Sequence, residues 1–263
     1  MATVNDILIF LESLAPRYMK MDWDNVGLLC GSRGRTVTKV LIALDPFEGV
    51  CKEAAAFGAE LIVTHHPLIF KALNAVTDET SIGRSIQLLC ENRISAINAH
   101  TNLDCAPGGV NDRLALALGL SEIEVVDPMG TDESGAEWGL LRKGLVDEQT
   151  LSEFLSTVKS ALHCDGLRYV DAGKPVRKVA VGGGACASEI MDAVRAGCDT
   201  FVTSDVKYNQ FWDAYDLGLN LIDAGHFHTE NPVTACLAEK IAAAFPEIEV
   251  KISETHSDCV KFY

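Results

Sequence analysis

Apolar and polar positions along the chain alternate between short apolar runs of strand length and longer amphipathic stretches. Thr3 stands ahead of a helical pattern that reaches about residue 14, with Asp6 three residues later as in a capping box and Pro16 just past its end. Residues 37–45 read as a buried strand, 47–57 as a helix closed by Gly58, and 59–64 as the next strand. A helix over 82–92, a strand over 94–99 and a helix over 110–118 closed by Gly119 follow. Residues 121–177 are less regular, with a strand over 138–146, a helix over 148–162 and a short strand over 167–170. The rhythm then resumes: strand 179–181, a helix through Met191 closed by Gly197, strand 200–203, helix 208–217, a strand running to Gly225, and a last helix opening at Asn231-Pro232. Such alternation predicts an α/β fold with mostly parallel sheets.

The second half repeats features of the first. Residues 39–66 align without gaps on 178–205, an offset of 139 (178 − 39), with Lys39/Lys178, Val40/Val179, Ala54/Ala193, Gly58/Gly197, Val63/Val202 and Thr64/Thr203 identical. Internal duplication is the better account of this recurrence. It divides the chain into a first α/β half at 1–120 and a second at 121–263, with 121–177 as a connecting segment.

Three of the apolar runs end at histidine. His65 and His66 follow Leu61-Ile62-Val63-Thr64, His100 follows the run at 94–99, and His226 follows the run at 219–225. Two of these ends carry a carboxylate four residues on, Asp104 after His100 and Glu230 after His226. In an open α/β sheet ligands bind beyond the carboxyl ends of the strands, so four imidazoles and two carboxylates converge in expectation, enough donors for two metal ions. The competing reading of any one such histidine is a hydrogen-bonded structural residue. Adjacent residues in a strand face opposite ways, however, so His65 and His66 cannot both enter one core. A metal pair bridged by a carboxylate uses both.

Composition narrows the function classes. The 263 residues are 48% hydrophobic, yet no apolar stretch is long enough to span a bilayer. The N-terminus has no basic region ahead of an apolar segment, so a cytoplasmic location is expected. A formal net charge of −15 argues against a nucleic-acid partner, because phosphate neutralisation dominates such binding. It leaves room for a small phosphorylated substrate, since bound metal supplies its own positive charge. Nine cysteines without a Cys-x-x-Cys pair read as reduced thiols, and Cys164 and Cys259, which follow His163 and His256, read as small buried side chains rather than ligands.

The motifs Thr64-His65-His66-Pro67, His100-Thr101-Asn102-Leu103-Asp104 and Gly225-His226-Phe227-His228-Thr229-Glu230 resemble those of the Nif-three-like dinuclear metal-binding family, the GTP cyclohydrolase I type II homologues. Asp24-Asn25-Val26-Gly27-Leu28 looks like the family's early signature, and Gly182-Gly183-Gly184 and Thr203-Ser204-Asp205 like later ones. The resemblance runs in order along nearly the whole chain. It implies two similar α/β halves facing a central dinuclear site, a ring-like homohexamer, and metal ligands at His65, His66, His100, Asp104, His226 and Glu230. Longer family members insert a further domain between the halves, which this length leaves out.

Imidazole and carboxylate donors suit zinc, iron or manganese, and the donor set alone does not choose among these divalent ions. Two such ions would activate water and polarise a carbonyl, phosphoryl or purine carbon. The expected function is therefore a metal-dependent hydrolase of a nucleotide or other phosphorylated or heterocyclic small molecule, with a non-catalytic metal-handling or regulatory scaffold as the alternative. Around the ligands, His228 is a candidate proton donor or a partner for Glu230, and Asp205 a candidate catalytic carboxylate or a helix cap. Ser204 and Asn25 are candidates for substrate contact, Asn25 equally for a turn. The triple glycine follows a strand and precedes a helix, so it is either a phosphate cradle or a plain tight turn.

Overall fold

The structure, a computed structural model, describes residues 1–263. In chain order its elements are α1 (Val4–Leu14), β1 (Gly27–Cys30), β2 (Lys39–Ala43), α2 (Glu48–Phe57), β3 (Leu61–Thr64), α3 (Ser81–Glu91), β4 (Ser95–Asn98), α4 (Thr101–Cys105) and α5 (Val110–Ala117). They continue with β5 (Ser121–Val126), a small hairpin of β6 (Gly130–Thr131) and β7 (Glu137–Trp138), β8 (Leu141–Gln149), α6 (Leu151–Ala161), β9 (Arg168–Val170) and β10 (Val176–Val181). The chain ends with α7 (Ile190–Arg195), β11 (Thr200–Thr203), α8 (Tyr208–Asp216), β12 (Asn220–Asp223), α9 (His226–Glu230), α10 (Pro232–Ala244) and β13 (Glu249–Ile252).

Local chemistry accounts for the element ends. Thr3 accepts from the Asp6 amide while the Asp6 carboxylate takes the Thr3 amide, closing the capping box. Thr150 and Glu153 do the same at α6. Gly58 stops α2 in the left-handed conformation that a side chain would resist.

Two compact units result, one of Met1–Leu103 with Thr234–Ser257, the other of Asp104–Val233 with Asp258–Tyr263. The chain leaves the first unit after Leu103 and returns to it at Thr234. The return has a plain cause: β13 pairs in parallel with β2, Val250 opposite Val40.

The first unit's sheet runs β1-β4-β3-β2-β13, all parallel except the antiparallel edge strand β1. Leu41, Ala43, Ile62 and Ala96 pack with Val50, Ala54 and Leu89 on one face. By strand alternation Val40, Ile42, Leu61 and Val63 turn the other way, and these are equally buried. A strand buried on both faces reads as a continuous apolar run, which is why these segments show no alternation. The second unit's sheet runs β5-β8-β10-β11-β12-β9, with β10, β11 and β12 parallel and the flanking strands antiparallel. Val179, Val181, Val202 and Ile222 face a core shared with Leu114 of α5 and Phe154 of α6, while Ala180, Phe201 and Leu221 face Ala193 of α7 and Ala214 of α8. Both units are α/β with mostly parallel strands at their centres.

The two windows related by 139 residues make matching bonds inside their own units. Glu60 accepts from the amides of Thr38 and Lys39 at 2.9 Å. Asp199 accepts from those of Arg177 and Lys178 at 3.0 and 2.7 Å. Lys39 Nζ donates to the Phe57 carbonyl and Lys178 Nζ to that of Ala196, each at the end of the intervening helix.

All nine cysteines are free thiols. Cys164 is buried as expected, but Cys259 is exposed: it lies beyond β13, where no further element packs over it. No helix is long and apolar enough to cross a membrane.

Candidate metal centre

In the first unit β3 ends at Thr64, and its hydroxyl donates to the His66 carbonyl at 2.7 Å, folding the chain so that the two following imidazoles lie near each other. β4 lies beside β3 in parallel, which brings His100 to the same end of the sheet. The ligand nitrogens of His65, His66 and His100 lie within 4.8 Å of one another, and the ring centroids are 4.9–5.4 Å apart. Three of the sequence-predicted ligands are therefore brought together within this unit.

Each ring is held from behind through Nδ1. His65 contacts the Ala99 carbonyl at 2.9 Å, His66 contacts Asp45 Oδ1 at 2.6 Å, and His100 contacts Asp24 Oδ1 at 2.8 Å. A carbonyl or carboxylate at Nδ1 requires the proton there, which puts the ring's lone pair on Nε2, the atom that could ligate a metal, and fixes the ring's orientation. The Nε2 of His65 is fully buried. Asp24 is itself buried; burial alone would raise its pKa, but bonds from His100 and Thr101 outweigh it and hold the carboxyl at about 2. It stays an anion behind the His100 imidazole.

Trp23 and Phe70, both exposed, meet the His100 ring edge to face with centroids 6.2 and 6.1 Å away. Beside His66 lies a cavity of about 540 Å³, lined by Asp45, Phe47, Leu68, Phe70 and Ile82 among others. Asn25 does not line it. Its amide donates to the Ile69 carbonyl at 2.6 Å and its own carbonyl receives Asn98, so it ties two loops together as a turn residue does.

In the second unit the short helix α9 places His226 and Glu230 one turn apart, with His226 Nε2 3.1 Å from Glu230 Oε2. The carboxylates of Asp104 and Glu230 are both buried and have oxygens within 4.8 Å of each other. Two buried carboxylates so close repel each other in a poorly hydrated site, and a cation held between them would offset that repulsion. His226 Nδ1 rests 2.8 Å from Asp205 Oδ2, a carboxylate backing like that of His66 and His100.

Asp205 adopts φ +53, a left-handed conformation that aspartate tolerates better than most side chains. Its side chain is 54% exposed, so it acts on the imidazole from the solvent side. Ser204 is buried, and its hydroxyl donates to the Gly184 carbonyl at 2.6 Å. His228 does not reach Glu230. Its Nδ1 contacts the Leu162 carbonyl and its Nε2 lies 3.4 Å from Asp258, which pins the end of the chain.

The triple glycine is a close-approach turn. The Gly183 amide donates to Asn111 and the Gly184 amide to Thr229, so both are committed to the protein. A Cβ on Gly184, at φ +65, would lie 2.1 Å from Glu230 Oε1 and 3.1 Å from His226 Nε2. Glycine is needed there to admit these two donors.

Sequence reasoning missed Asp24 and Asp45 as the acceptors that orient His100 and His66. A signal existed for Asp45. It stands just past the end of β2, as Asp205 stands just past β11.

Residues 2–259 match the family model Duf34/NIF3 (NGG1p interacting factor 3). A GTP cyclohydrolase 1 type 2 homolog of Clostridium perfringens is 37% identical over 261 residues, covering 98% of this chain and 99% of the relative. The homolog of the same name from Clostridium acetobutylicum is 31% identical, covering 98% of each. Among solved structures, the Bacillus cereus protein related to NIF3 superposes with a TM-score of 0.94 at 28% identity, covering 100% of this chain and 99% of the other.

Proposed function

Because this chain belongs to the Duf34/NIF3 family, we propose that it is a dinuclear metal protein that hydrolyses a nucleotide or other phosphorylated or heterocyclic small molecule. The proposed ligands are His65, His66, His100, Asp104, His226 and Glu230, together taking two divalent ions of zinc, iron or manganese.

One observation carries this reading. Three imidazoles converge to within 4.8 Å, each backed at Nδ1 by a carbonyl or a carboxylate. A histidine kept only for packing needs one partner for one nitrogen. Three rings turned toward a common point with the same tautomer fit a cation instead. The donor chemistry suits the ions named, which prefer imidazole and carboxylate. The buried, mutually close carboxylates of Asp104 and Glu230 fit the same charge requirement.

When bound, two such ions lower the pKa of water and polarise a phosphoryl or carbonyl oxygen. The chain's own residues do the rest. Asp24, Asp45 and Asp205 hold three imidazoles in their tautomers, and the cavity beside His66 gives a small molecule a concave, mostly apolar place to lie. Asp205 is a positioning residue in this scheme. Its exposed edge also suits a proton or substrate contact, the role the sequence assigned it with Ser204.

The matching bonds of Glu60 and Asp199, and of Lys39 and Lys178, support an internal duplication as the origin of the two units. A ring of six copies and a cytoplasmic location belong to the same proposal, and sedimentation analysis reads the first.

The curated relatives carry the name GTP cyclohydrolase 1 type 2 homolog, so GTP is the first compound to assay, followed by nucleotide and phosphomonoester panels. Chelated protein should be inactive, and one divalent metal should restore turnover. Bound ions that pass readily to an acceptor protein, with no turnover of any substrate, would instead establish the metal-handling scaffold.

A further inference from the structure

Cys30 closes the edge strand β1 and Cys90 lies in the last turn of α3, and their sulfurs are 3.8 Å apart. We propose that these two thiols are a redox modification site that closes a disulfide on reaction with a hydroperoxide. The inference is independent of the metal centre and of the function proposed for it.

Position separates the roles of the two sulfurs. Cys90 is exposed, so it is the one a hydroperoxide reaches, whereas Cys30 is half-buried behind it. Both sit on fixed backbone. Cys30 is paired with Ala96 of β4, and the Cys90 carbonyl receives the Arg93 amide at 3.1 Å as α3 ends. Arg35 reaches across to the Arg93 carbonyl and to Ser95 Oγ, which fastens the end of α3 to the start of β4 and holds a guanidinium near the pair. A disulfide needs sulfurs about 2 Å apart, and these two already lie in contact at 3.8 Å.

The chemistry balances with the hydroperoxide as oxidant. The Cys90 thiolate attacks the outer oxygen of ROOH, the O–O bond breaks, and ROH leaves after taking the proton from Cys90. Cys90 is now a sulfenic acid. Cys30 sulfur attacks Cys90 sulfur, the S–S bond forms, the S–O bond breaks, and hydroxide leaves as water with the Cys30 proton. Two thiols lose two electrons and the peroxide gains them.

The electrostatics agree with this order. Burial first, and then the neighbouring Cys90, push the Cys30 thiol up to about 12, while Arg35 pulls it down. Cys51, Cys105, Cys164, Cys186, Cys198 and Cys236 are buried, out of a peroxide's way.

Purified full-length protein in its native metal state, freed of reductant and exposed to hydrogen peroxide, should be mapped by mass spectrometry under non-reducing conditions. The expected result is a peptide pair joined through Cys30 and Cys90, lighter than the sum of its parts by two hydrogens and separated again by dithiothreitol. In Cys30→Ser, dimedone should trap a sulfenic acid on Cys90, and in Cys90→Ser the Cys30 thiol should stay unmodified. The wild-type map needs no variant, so a folding defect in either variant leaves the central reading intact. A wild-type map in which Cys90 stays reduced, goes directly to sulfinic acid, or joins a cysteine other than Cys30 would overturn the proposal.

Discussion

The Nδ1 of His226 lies 2.8 Å from Oδ2 of Asp205, a residue held at φ +53 two positions past the end of β11. A carboxylate in that place fixes the tautomer and raises the basicity of the other ring nitrogen, the one proposed to bind metal. Asparagine tolerates the same backbone conformation, so Asp205→Asn removes the charge without straining the turn. Metal affinity should fall about 10- to 100-fold, the usual cost of losing such a partner, while the circular dichroism spectrum is unchanged. Competition with a chromophoric chelator measures the affinity directly.

Asp24 anchors His100, in the first unit, in a different way. Its carboxylate takes His100 Nδ1, the Thr101 amide at 3.0 Å, the Thr101 hydroxyl at 2.5 Å and the Asn25 amide at 2.7 Å, with the side chain fully buried. Asp24→Ala strands these donors and should cost about 2–4 kcal/mol of stability, by the penalty for leaving buried polar groups without acceptors. Denaturant titration of the chelated protein isolates that cost from any contribution of metal.

Gly184→Ala forces a methyl group onto Glu230 and into the left-handed region of the backbone. The conformational part alone costs about 1–3 kcal/mol. The larger consequence is displacement of the Glu230 carboxylate, so metal content should drop in protein that still folds. Elemental analysis beside a thermal melt separates the two effects.

Glu53 gives the fold a pH dependence. On α2 it receives Ser253 Oγ at 2.5 Å, the Glu254 and Thr255 amides at 3.0 and 3.1 Å and Thr255 Oγ1 at 2.7 Å, fastening the segment after β13. Burial raises its pKa, but these bonds outweigh it and lower the carboxyl from 4.5 to about 2. A folded-state pKa below the unfolded one contributes stability that is complete above about 4.5 and is lost as pH falls toward 2. Glu53→Gln should therefore flatten the acid side of the stability curve in that window and leave the curve's slope near neutrality unchanged. Urea midpoints measured from pH 3 to pH 7 show the difference.

Much of this architecture was legible in the residues. The capping box at Thr3 and Asp6, Gly58 as the stop of α2, and the strand at Thr200–Thr203 are each set by a few neighbouring side chains, so they read directly. β1 and β13 were missed because edge strands owe their pairing to partners far along the chain, Asn98 for Gly27 and Val40 for Val250, rather than to their own pattern. For the same reason the return of the chain to the first unit was invisible. The convergence of His65, His66 and His100 was legible because strand ends are legible. The partners that orient the imidazoles were less so: Asp24 comes from a loop 76 residues away from His100, and only the fold brings them together. The contacts of His228 with Leu162 and Asp258 were likewise hidden, since both partners come from distant parts of the chain.

Metal stoichiometry tests the central claim most directly. Protein purified without metal-affinity resin should carry two divalent ions per chain by elemental analysis, and His100→Ala and Glu230→Ala should each lower that ratio while remaining folded. Fewer than two ions in wild-type protein offered excess zinc, iron and manganese in turn, or undiminished occupancy in both variants, would contradict the account.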